Sequence, residues 1–386
     1  MTSSPRSNNR VQWVDEPLEL ERVADILEDA DVIGVDTEQD SYFSYSTKVC
    51  VLQIGALDQE WVVDTMAIRD FSCLAPVFED DRVVKVFHAG ENDVDLLRRQ
   101  CGLEFVGVFD TMAAASILGY RKTGLAGLLE QHFGVVIDKK YQRSDWRKRP
   151  LSREQIEYAA LDVRYLEELT DKLEAELEEK GRMAEAASDF ERVERVVHEP
   201  RVFDVDDYWR IAGARDLDAR ERSILKAIYA VREEIARDED RALFRVCGDG
   251  VLLEVVRRAP RTVEALGRIR GFPDRLRNRY GEEFLEAISR ACELGGIPKP
   301  RARASDGPNP MRLDASQKST YDKLRKWRKT CAEKREVEPG RVIPNAMLLR
   351  VIQAAPRDVE ALADAGLESW RIDEYGAEIL AVLEKS

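Results

Sequence analysis

The first 200 residues alternate short apolar runs with longer segments of helical periodicity. The apolar runs have the length of buried strands and lie at residues 32–35, 49–54, 61–63, 83–87 and 106–109. Between them, apolar residues recur every three or four positions, which predicts helices at residues 18–30, 93–99, 111–118 and 124–133. Strands interleaved with helices predict an α/β domain with a mixed sheet.

A further helix is predicted to begin at a capping box. Ser152 and Gln155 have the spacing of the N-cap and N3 positions, and Leu151 and Ile156 have the spacing of a hydrophobic staple. The helix that follows carries Tyr158 and Asp162, which are four residues apart and therefore share one face. A defined start sets the rotation of the helix, so we expect both side chains to point inward together.

Carboxylates follow two of the predicted strands. Asp36 and Glu38 close the first apolar run, and alternate residues of a strand share a face, so both carboxylates point the same way. Asp93 follows the run at residues 83–87, at the start of a helix. Together with Asp162, these acids and the Tyr158 phenol suit a two-metal phosphoryl-transfer site.

The histidines do not suit a zinc centre. The chain has only three, far apart, whereas divalent cations such as Mg²⁺ prefer converging carboxylate oxygens. His88 ends an apolar run, so we expect a buried, hydrogen-bonded structural histidine and not a ligand.

The C-terminal half contains an internal repeat. Residues 251–266 recur as residues 347–362, a shift of 96, and the same shift maps residues 217–219 onto 313–315. Two copies of one helical unit are therefore predicted. The predicted domains are residues 1–200 (core about 11–197), 212–296 and 313–386, with a linker rich in Pro, Arg and Gly at 297–312.

The charge of the chain is uneven. Its net charge of −14 argues against a nucleic-acid partner for the surface as a whole, yet residues 139–149 carry six basic residues against one acid, and residues 318–335 carry eight against two. The first of these runs includes Tyr141 and Trp146, as single-strand grooves do, although Trp146 equally suits a core position. Candidate nucleic-acid contacts are Thr37, Lys140, Arg143, Arg147, Lys148, Lys326 and Arg328.

The cysteines and the apolar runs bear on the compartment. The six cysteines include no CxxC pair, which is typical of free thiols in a reducing compartment. No stretch has the length of a membrane span or the apolar core of a signal peptide. We therefore expect a cytoplasmic protein.

Three motifs carry a family resemblance. VDTE, HAGENDVDLL and YAALDVRYL, in this order, resemble the exonuclease motifs of the DEDDy superfamily, and SDWRKRPLSREQIEYAALD at residues 144–162 resembles ribonuclease D. The resemblance covers residues 11–197, and the two helical units resemble HRDC domains. It implies an α/β exonuclease domain, with a ribonuclease H-like mixed sheet flanked by helices, followed by two all-α HRDC-type domains.

The resemblance also implies an activity. It is that of a metal-dependent 3′-5′ exoribonuclease that releases 5′-nucleoside monophosphates and trims the 3′ ends of structured RNA such as tRNA precursors. The cofactors would be two divalent cations, Mg²⁺ or Mn²⁺, and Tyr158 would orient the attacking water. The implied metal ligands are Asp36, Glu38, Asp93 and Asp162, which are the catalytic residues together with Tyr158. No obligate protein partner is evident.

Residues 40–45 follow the first motif and are a candidate lining for the terminal nucleotide. This segment departs from the shorter bacterial ribonuclease D pattern and looks more like the eukaryotic exosome-associated relatives. This departure weakens the transfer of substrate preference from the family to this chain.

Two alternative functions stay open. One is a DNA 3′-5′ exonuclease, because no motif shows how the 2′-hydroxyl would be recognised. The other is a catalytically inactive nucleic-acid-binding scaffold, against which stands the presence of all four acids and the tyrosine.

Overall fold

The computed structural model describes residues 11–199, 201–299 and 313–384, with the exception of the Lys139 side chain. These residues form two compact units. The first unit contains residues 11–38, 49–198 and 313–384, and the second contains 39–48 and the described residues from 199 to 299.

A six-stranded mixed sheet lies at the centre of the first unit. The strands are β1 (Val11–Val14), β2 (Val32–Gln39), β3 (Val49–Ala56), β4 (Gln59–Asp64), β5 (Val84–Phe87) and β6 (Val108–Asp110). Their order is β1-β4-β3-β2-β5-β6, where β3 runs antiparallel to β4, and the β1–β4, β2–β5 and β5–β6 pairs are parallel. The mixed sheet confirms the predicted fold class, and β1 is an additional strand.

Helices cover the sheet. They are α1 (Pro17–Leu27), α2 (Ala75–Phe78), α3 (Glu91–Cys101), α4 (Thr111–Leu118), α5 (Leu125–Phe133), α6 (Arg153–Val163), α7 (Leu166–Glu179) and α8 (Met183–Glu194). One apolar cluster joins α1 and α3 to the sheet, and another joins α4, α5 and α7. All four helices predicted from periodicity are present.

Two local predictions show how sequence sets element boundaries. The capping box is confirmed, because Ser152 Oγ accepts from the Gln155 amide at 3.2 Å and the Gln155 side chain accepts from the Ser152 amide at 3.0 Å. Strand β6 begins at Val108, two residues later than predicted. Gly107 has a φ of +73°, which is incompatible with an extended strand.

The two C-terminal helical units have the same order of elements. The first contains α9 (Ala219–Asp238), α10 (Leu243–Val246), α11 (Asp249–Arg258), α12 (Val263–Gly267) and α13 (Asp274–Leu294). The second contains α14 (Ala315–Arg335), α15 (Pro339–Val342), α16 (Asn345–Ala354), α17 (Val359–Asp364) and α18 (Ser369–Glu384). Each has its own apolar core, and each begins at a capping box.

One buried arginine has the same role in each copy. Arg232 donates to the carbonyl of Cys247 at 2.9 Å, and Arg328 donates to the carbonyl of Ile343 at 3.0 Å. Arg232 also donates to Asp249, the first residue of α11, and Arg328 to Asn345, the first residue of α16. The prediction that Arg328 contacts nucleic acid is therefore wrong, because this guanidinium is buried and ties together the helical unit to which it belongs.

The second helical copy packs against the exonuclease part within the first unit. Arg335 forms an ion pair with Glu185 of α8, and both side chains are largely buried. Arg341 forms an ion pair with Asp189 at 2.7 Å. A Cβ on Gly119 would lie 2.2 Å from the carbonyl oxygen of Glu336, so only glycine allows this approach.

Two further points concern the described residues. Within them, no helix is long and apolar enough to cross a membrane. Of the predicted linker at 297–312, residues 300–312 lie outside the described part of the chain, and the predicted domain bounds stay a prediction.

Candidate active site

Strand β2 presents Asp36 and Glu38 on one face, together with Gly34. A Cβ on Gly34 would lie 3.0 Å from the carbonyl oxygen of Val163, the last residue of α6. The absence of a side chain at Gly34 therefore lets the end of α6 approach β2 closely. This approach brings Asp162, the residue before Val163, to the two carboxylates of the strand.

Asp93 comes from the first turn of α3. The turn before this helix is held by Asp110, which accepts from the Gly90 amide at 2.8 Å. Asp93 is buried and accepts a hydrogen bond from the Thr37 hydroxyl. Asp95, two residues further on, pairs with Arg99 instead. Asp93 is thus the carboxylate of α3 whose charge reaches Asp36 and Glu38 on β2.

Tyr158 and Asp162 lie on the same face of α6, as predicted. The Tyr158 ring stacks on Trp146 with ring centroids 6.2 Å apart, and Tyr141 lies 6.1 Å away on centroids. Trp146 is 1% exposed. Of its two possible roles, the core position is therefore the one observed, and its ring supports Tyr158.

Burial and neighbouring carboxylates disfavour ionisation in this site. Burial, followed by the charges of Asp93, Asp162 and Glu38, raises the pKa of Asp36 well above its usual value. Burial and the charges of Asp162 and Asp93 raise the pKa of Glu38 in the same way. Burial raises the pKa of Asp162 to about 7. Burial and these charges also raise the pKa of Tyr158, so its phenol is neutral at neutral pH.

This donor set fits hard divalent cations in its chemistry. Several carboxylates held together out of water are costly unless positive charge offsets them, and Mg²⁺ and Mn²⁺ prefer carboxylate oxygens. Among the described residues, however, no three acidic, histidine or cysteine side chains already have the close arrangement of a metal centre. The match therefore rests on the identity and charge of the donors.

A pocket of about 540 Å³ opens over these residues. Of the predicted site residues, Asp36, Thr37, Glu38, Tyr158 and Asp162 line it. Asp93 stands behind Thr37 through the hydrogen bond between them. Lining residues that the sequence did not indicate are His88, Lys122, Gly124, Leu125, Ala126, Gly127, Ile137 and Gln142.

The start of α5 supplies much of this additional wall. Gly124 is its N-cap, and residues 125–127 form its first turn, where the N–H groups of Leu125 and Ala126 lack acceptors within the helix. The N-terminus of a helix attracts anions through its N–H groups and its dipole. The start of the helix predicted at residues 124–133 could have indicated this wall, whereas Lys122, which pairs with Glu130 at 3.6 Å, had no such signal.

His88 has the structural bond that the sequence predicts and also lines the pocket. Its Nδ1 lies 2.9 Å from the Thr111 hydroxyl. Burial lowers its pKa to about 4, so the imidazole is neutral at neutral pH.

Residues 40–45 are not part of the described lining of this pocket. They belong to the second unit, where the Tyr45 hydroxyl donates to Glu233 at 2.6 Å. That this segment lines the pocket stays a prediction, since the segment and the pocket belong to different units. Its aromatic residues pack on the first helical copy.

The basic residues of segment 139–149 have different surroundings. Lys140, Arg143 and Lys148 are exposed, while Arg147 pairs with Asp145 at 2.8 Å. Arg149 pairs with Asp64 at 2.6 Å and anchors the segment to the end of β4. In the second helical copy, Lys326 is exposed on α14.

Comparison with known proteins agrees with this arrangement. Residues 11–178 match a 3′-5′ exonuclease family, and residues 221–288 and 317–383 match the HRDC domain. A ribonuclease D of Gluconacetobacter diazotrophicus is 32% identical over 371 residues, which cover 94% of this chain and 90% of that protein.

Solved structures show the same fold. The catalytic core of RRP6 from Trypanosoma brucei is 25% identical with a TM-score of 0.70, covering 76% of this chain and 84% of that one. Escherichia coli RNase D is 23% identical with a TM-score of 0.65, covering 97% and 99%.

Fold and site thus define a 3′-5′ exonuclease domain followed by two HRDC domains. The chain belongs to the ribonuclease D family, and it is a 3′-5′ exoribonuclease. Exonucleases of this family depend on divalent metal ions.

Proposed function

We propose that this exoribonuclease trims the 3′ ends of structured RNA such as tRNA precursors and releases 5′-nucleoside monophosphates. The observation that carries the proposal is a pocket lined by three carboxylates and a neutral phenol, with the fourth carboxylate, Asp93, hydrogen-bonded to Thr37 of the same lining. The relatives named ribonuclease D support an RNA substrate, and E. coli RNase D is described as an exoribonuclease involved in structured RNA processing.

Asp36, Glu38, Asp93 and Asp162 would hold two divalent cations, Mg²⁺ or Mn²⁺. Such cations, when bound, supply the positive charge that activates water and stabilises the leaving 3′ oxygen. Their charge would also offset the repulsion that raises the carboxyl pKa values. Thr37 would keep Asp93 oriented through its hydroxyl.

Tyr158 would position the attacking water. Its phenol is neutral because burial and nearby carboxylates raise its pKa, so it donates a hydrogen bond and does not act as a base. Trp146 and Tyr141 pack around the ring and restrict its orientation. The part of the lining formed by Lys122 and residues 124–127 would present a cation and N–H groups of the first turn of α5 to the phosphates of the substrate.

The exposed cations Lys140, Arg143 and Lys148 would guide the single strand toward α6, with Arg147 sharing its charge with Asp145. Lys326 would contact RNA on the second helical copy. We further propose a cytoplasmic location, which the free thiols support.

The test compares RNA and DNA oligonucleotides of one sequence, with and without EDTA. We expect RNA to be shortened stepwise from its 3′ end and EDTA to stop the reaction. A 3′-phosphate should block degradation, because its charge would occupy the place of the terminal hydroxyl beside the carboxylates. A circular RNA should resist for lack of an end. Efficient cutting of the circle would show an endonuclease, and equal cutting of DNA would remove the RNA preference.

A further inference from the structure

Residues 39–48 start directly after Glu38, at the last residue of β2, and form a loop that ends where β3 begins. The loop is closed at its base: the Asp40 amide donates to the Lys48 carbonyl at 3.1 Å, and the Lys48 amide donates to the Asp40 carboxylate at 2.7 Å. The Ser44 hydroxyl also donates to this carboxylate at 2.6 Å, and Asp40 is 1% exposed. The loop therefore has a defined internal structure.

The tip of the loop is held by the segment around α10 of the first HRDC domain. The Ala242 amide donates to the Phe43 carbonyl at 3.0 Å, and Arg245 Nε donates to the Tyr42 carbonyl at 2.8 Å. The Arg245 guanidinium lies 4.1 Å from the Phe43 ring centroid and 4.7 Å from that of Tyr42. One arginine thus binds both the backbone and the aromatic rings of the loop.

The other side of the loop is held by α9 and the residues just after it. Asp240 accepts from the Tyr45 amide at 3.1 Å and from Lys48 Nζ at 2.7 Å. The Tyr45 hydroxyl donates to Glu233, which is 1% exposed. Asp240 itself has a φ of +43°, in the left-handed region that aspartate adopts more readily than most residues.

These contacts make the loop part of the helical domain, although it connects two central strands of the exonuclease sheet. Glu38 is bonded directly to the first residue of this loop. The conformation of the backbone after Glu38 therefore depends on how firmly the loop is held.

We propose that the first HRDC domain positions the exonuclease site: Asp240 and Arg245 hold the loop and thereby the carboxyl end of β2. They are positioning residues, since they act through the loop. The inference rests on the proposed role of Glu38 in the site. It assigns the first HRDC domain a part in turnover, beyond any contact with RNA.

The test uses the full chain with two variants of opposite charge change, Asp240→Asn and Arg245→Ala. The substrate is a four-nucleotide RNA, and the measurements are kcat, KM and the Mg²⁺ concentration for half-maximal rate. We expect both variants to lose about 10- to 100-fold in kcat and to need more Mg²⁺, with KM little changed, because small displacements of catalytic groups have such effects. Asp238→Asn and Arg275→Ala are the controls, since Asp238 pairs with Arg237 and Arg275 with Glu239 in the same domain.

Other outcomes overturn the inference. Wild-type kcat in both variants would mean that the contacts of Asp240 and Arg245 with the loop have no effect on turnover. If Arg245→Ala raises KM while Asp240→Asn lowers it, with kcat unchanged, the surface binds RNA phosphates instead. A variant without a thermal unfolding transition has not folded. In that case Tyr45→Phe is tested by the same measurements, because it removes only the hydroxyl bonded to Glu233. Activity in Glu38→Gln would contradict the proposed function itself.

Discussion

Replacing Asp162 with Asn should stabilise the metal-free protein at alkaline pH. Burial raises the pKa of this carboxyl from 3.8 to about 7, so the folded state binds the proton more tightly than the unfolded state does. The ionised carboxylate therefore opposes folding. Its cost is absent below pH 4, grows as the pH rises, and is complete above pH 7.

The pKa sets the size of the effect. A rise from 3.8 to about 7 corresponds to about 4 kcal/mol when ionisation is complete. Because Asp162 is partly exposed, solvent screening reduces the expected gain to about 2 kcal/mol. For a domain of about 150–250 residues, about 2 kcal/mol corresponds to an increase of about 4–8 °C in Tm.

The assay is thermal unfolding in EDTA at pH 8 and pH 5. We expect the full gain in Tm for Asp162→Asn at pH 8 and a smaller gain at pH 5. The control is Asp171→Asn, which changes an exposed carboxylate on α7. With saturating Mg²⁺ the order should reverse, because wild type gains binding energy that the variant has lost. A variant less stable than wild type in EDTA at pH 8 would refute the reasoning.

Four further predictions follow from the site and its surroundings. Asp36→Asn should nearly abolish turnover of single-stranded RNA while the circular dichroism spectrum is retained, and wild-type rates in excess Mg²⁺ would contradict the metal-ligand role. Tyr158→Phe should keep Mg²⁺ binding but lose about 10- to 1000-fold in kcat, as measured by single-turnover kinetics; an unchanged rate would leave Tyr158 a packing role. Arg335→Met should lower the free energy of unfolding by about 3–5 kcal/mol in urea denaturation, because it leaves Glu185 buried without its partner; Arg335→Met with Glu185→Leu should recover much of the loss. Lys326→Ala should reduce the salt dependence of RNA affinity by about one unit of slope, whereas an unchanged slope would show that Lys326 makes no phosphate contact.

Local patterns in the sequence were enough for most of the fold. Helix α4 has the predicted bounds, and the capping box at Ser152 starts α6 where expected. The repeat with a shift of 96 residues is confirmed by the paired arginines Arg232 and Arg328. These features depend on neighbours within one helix or one helical unit, so the periodicity and spacing of residues report them directly. The acids of the site were found for the same reason, since each lies in or directly beside a recognisable strand or helix.

Only the tertiary structure decided which surfaces those residues meet. Arg328 lies in a sequence typical of an exposed basic helix. Its guanidinium nevertheless donates to the carbonyl of Ile343, 15 residues later, and is buried in the helical unit. Trp146 suits a groove or a core equally well in sequence, and the β3, β4 and α6 residues packed around it decide for the core. Residues 40–45 follow the first motif directly but pack on a helix almost 200 residues away. Such long-range contacts depend on how separate elements pack. The local pattern of apolar and polar residues does not indicate which distant residue a side chain will contact.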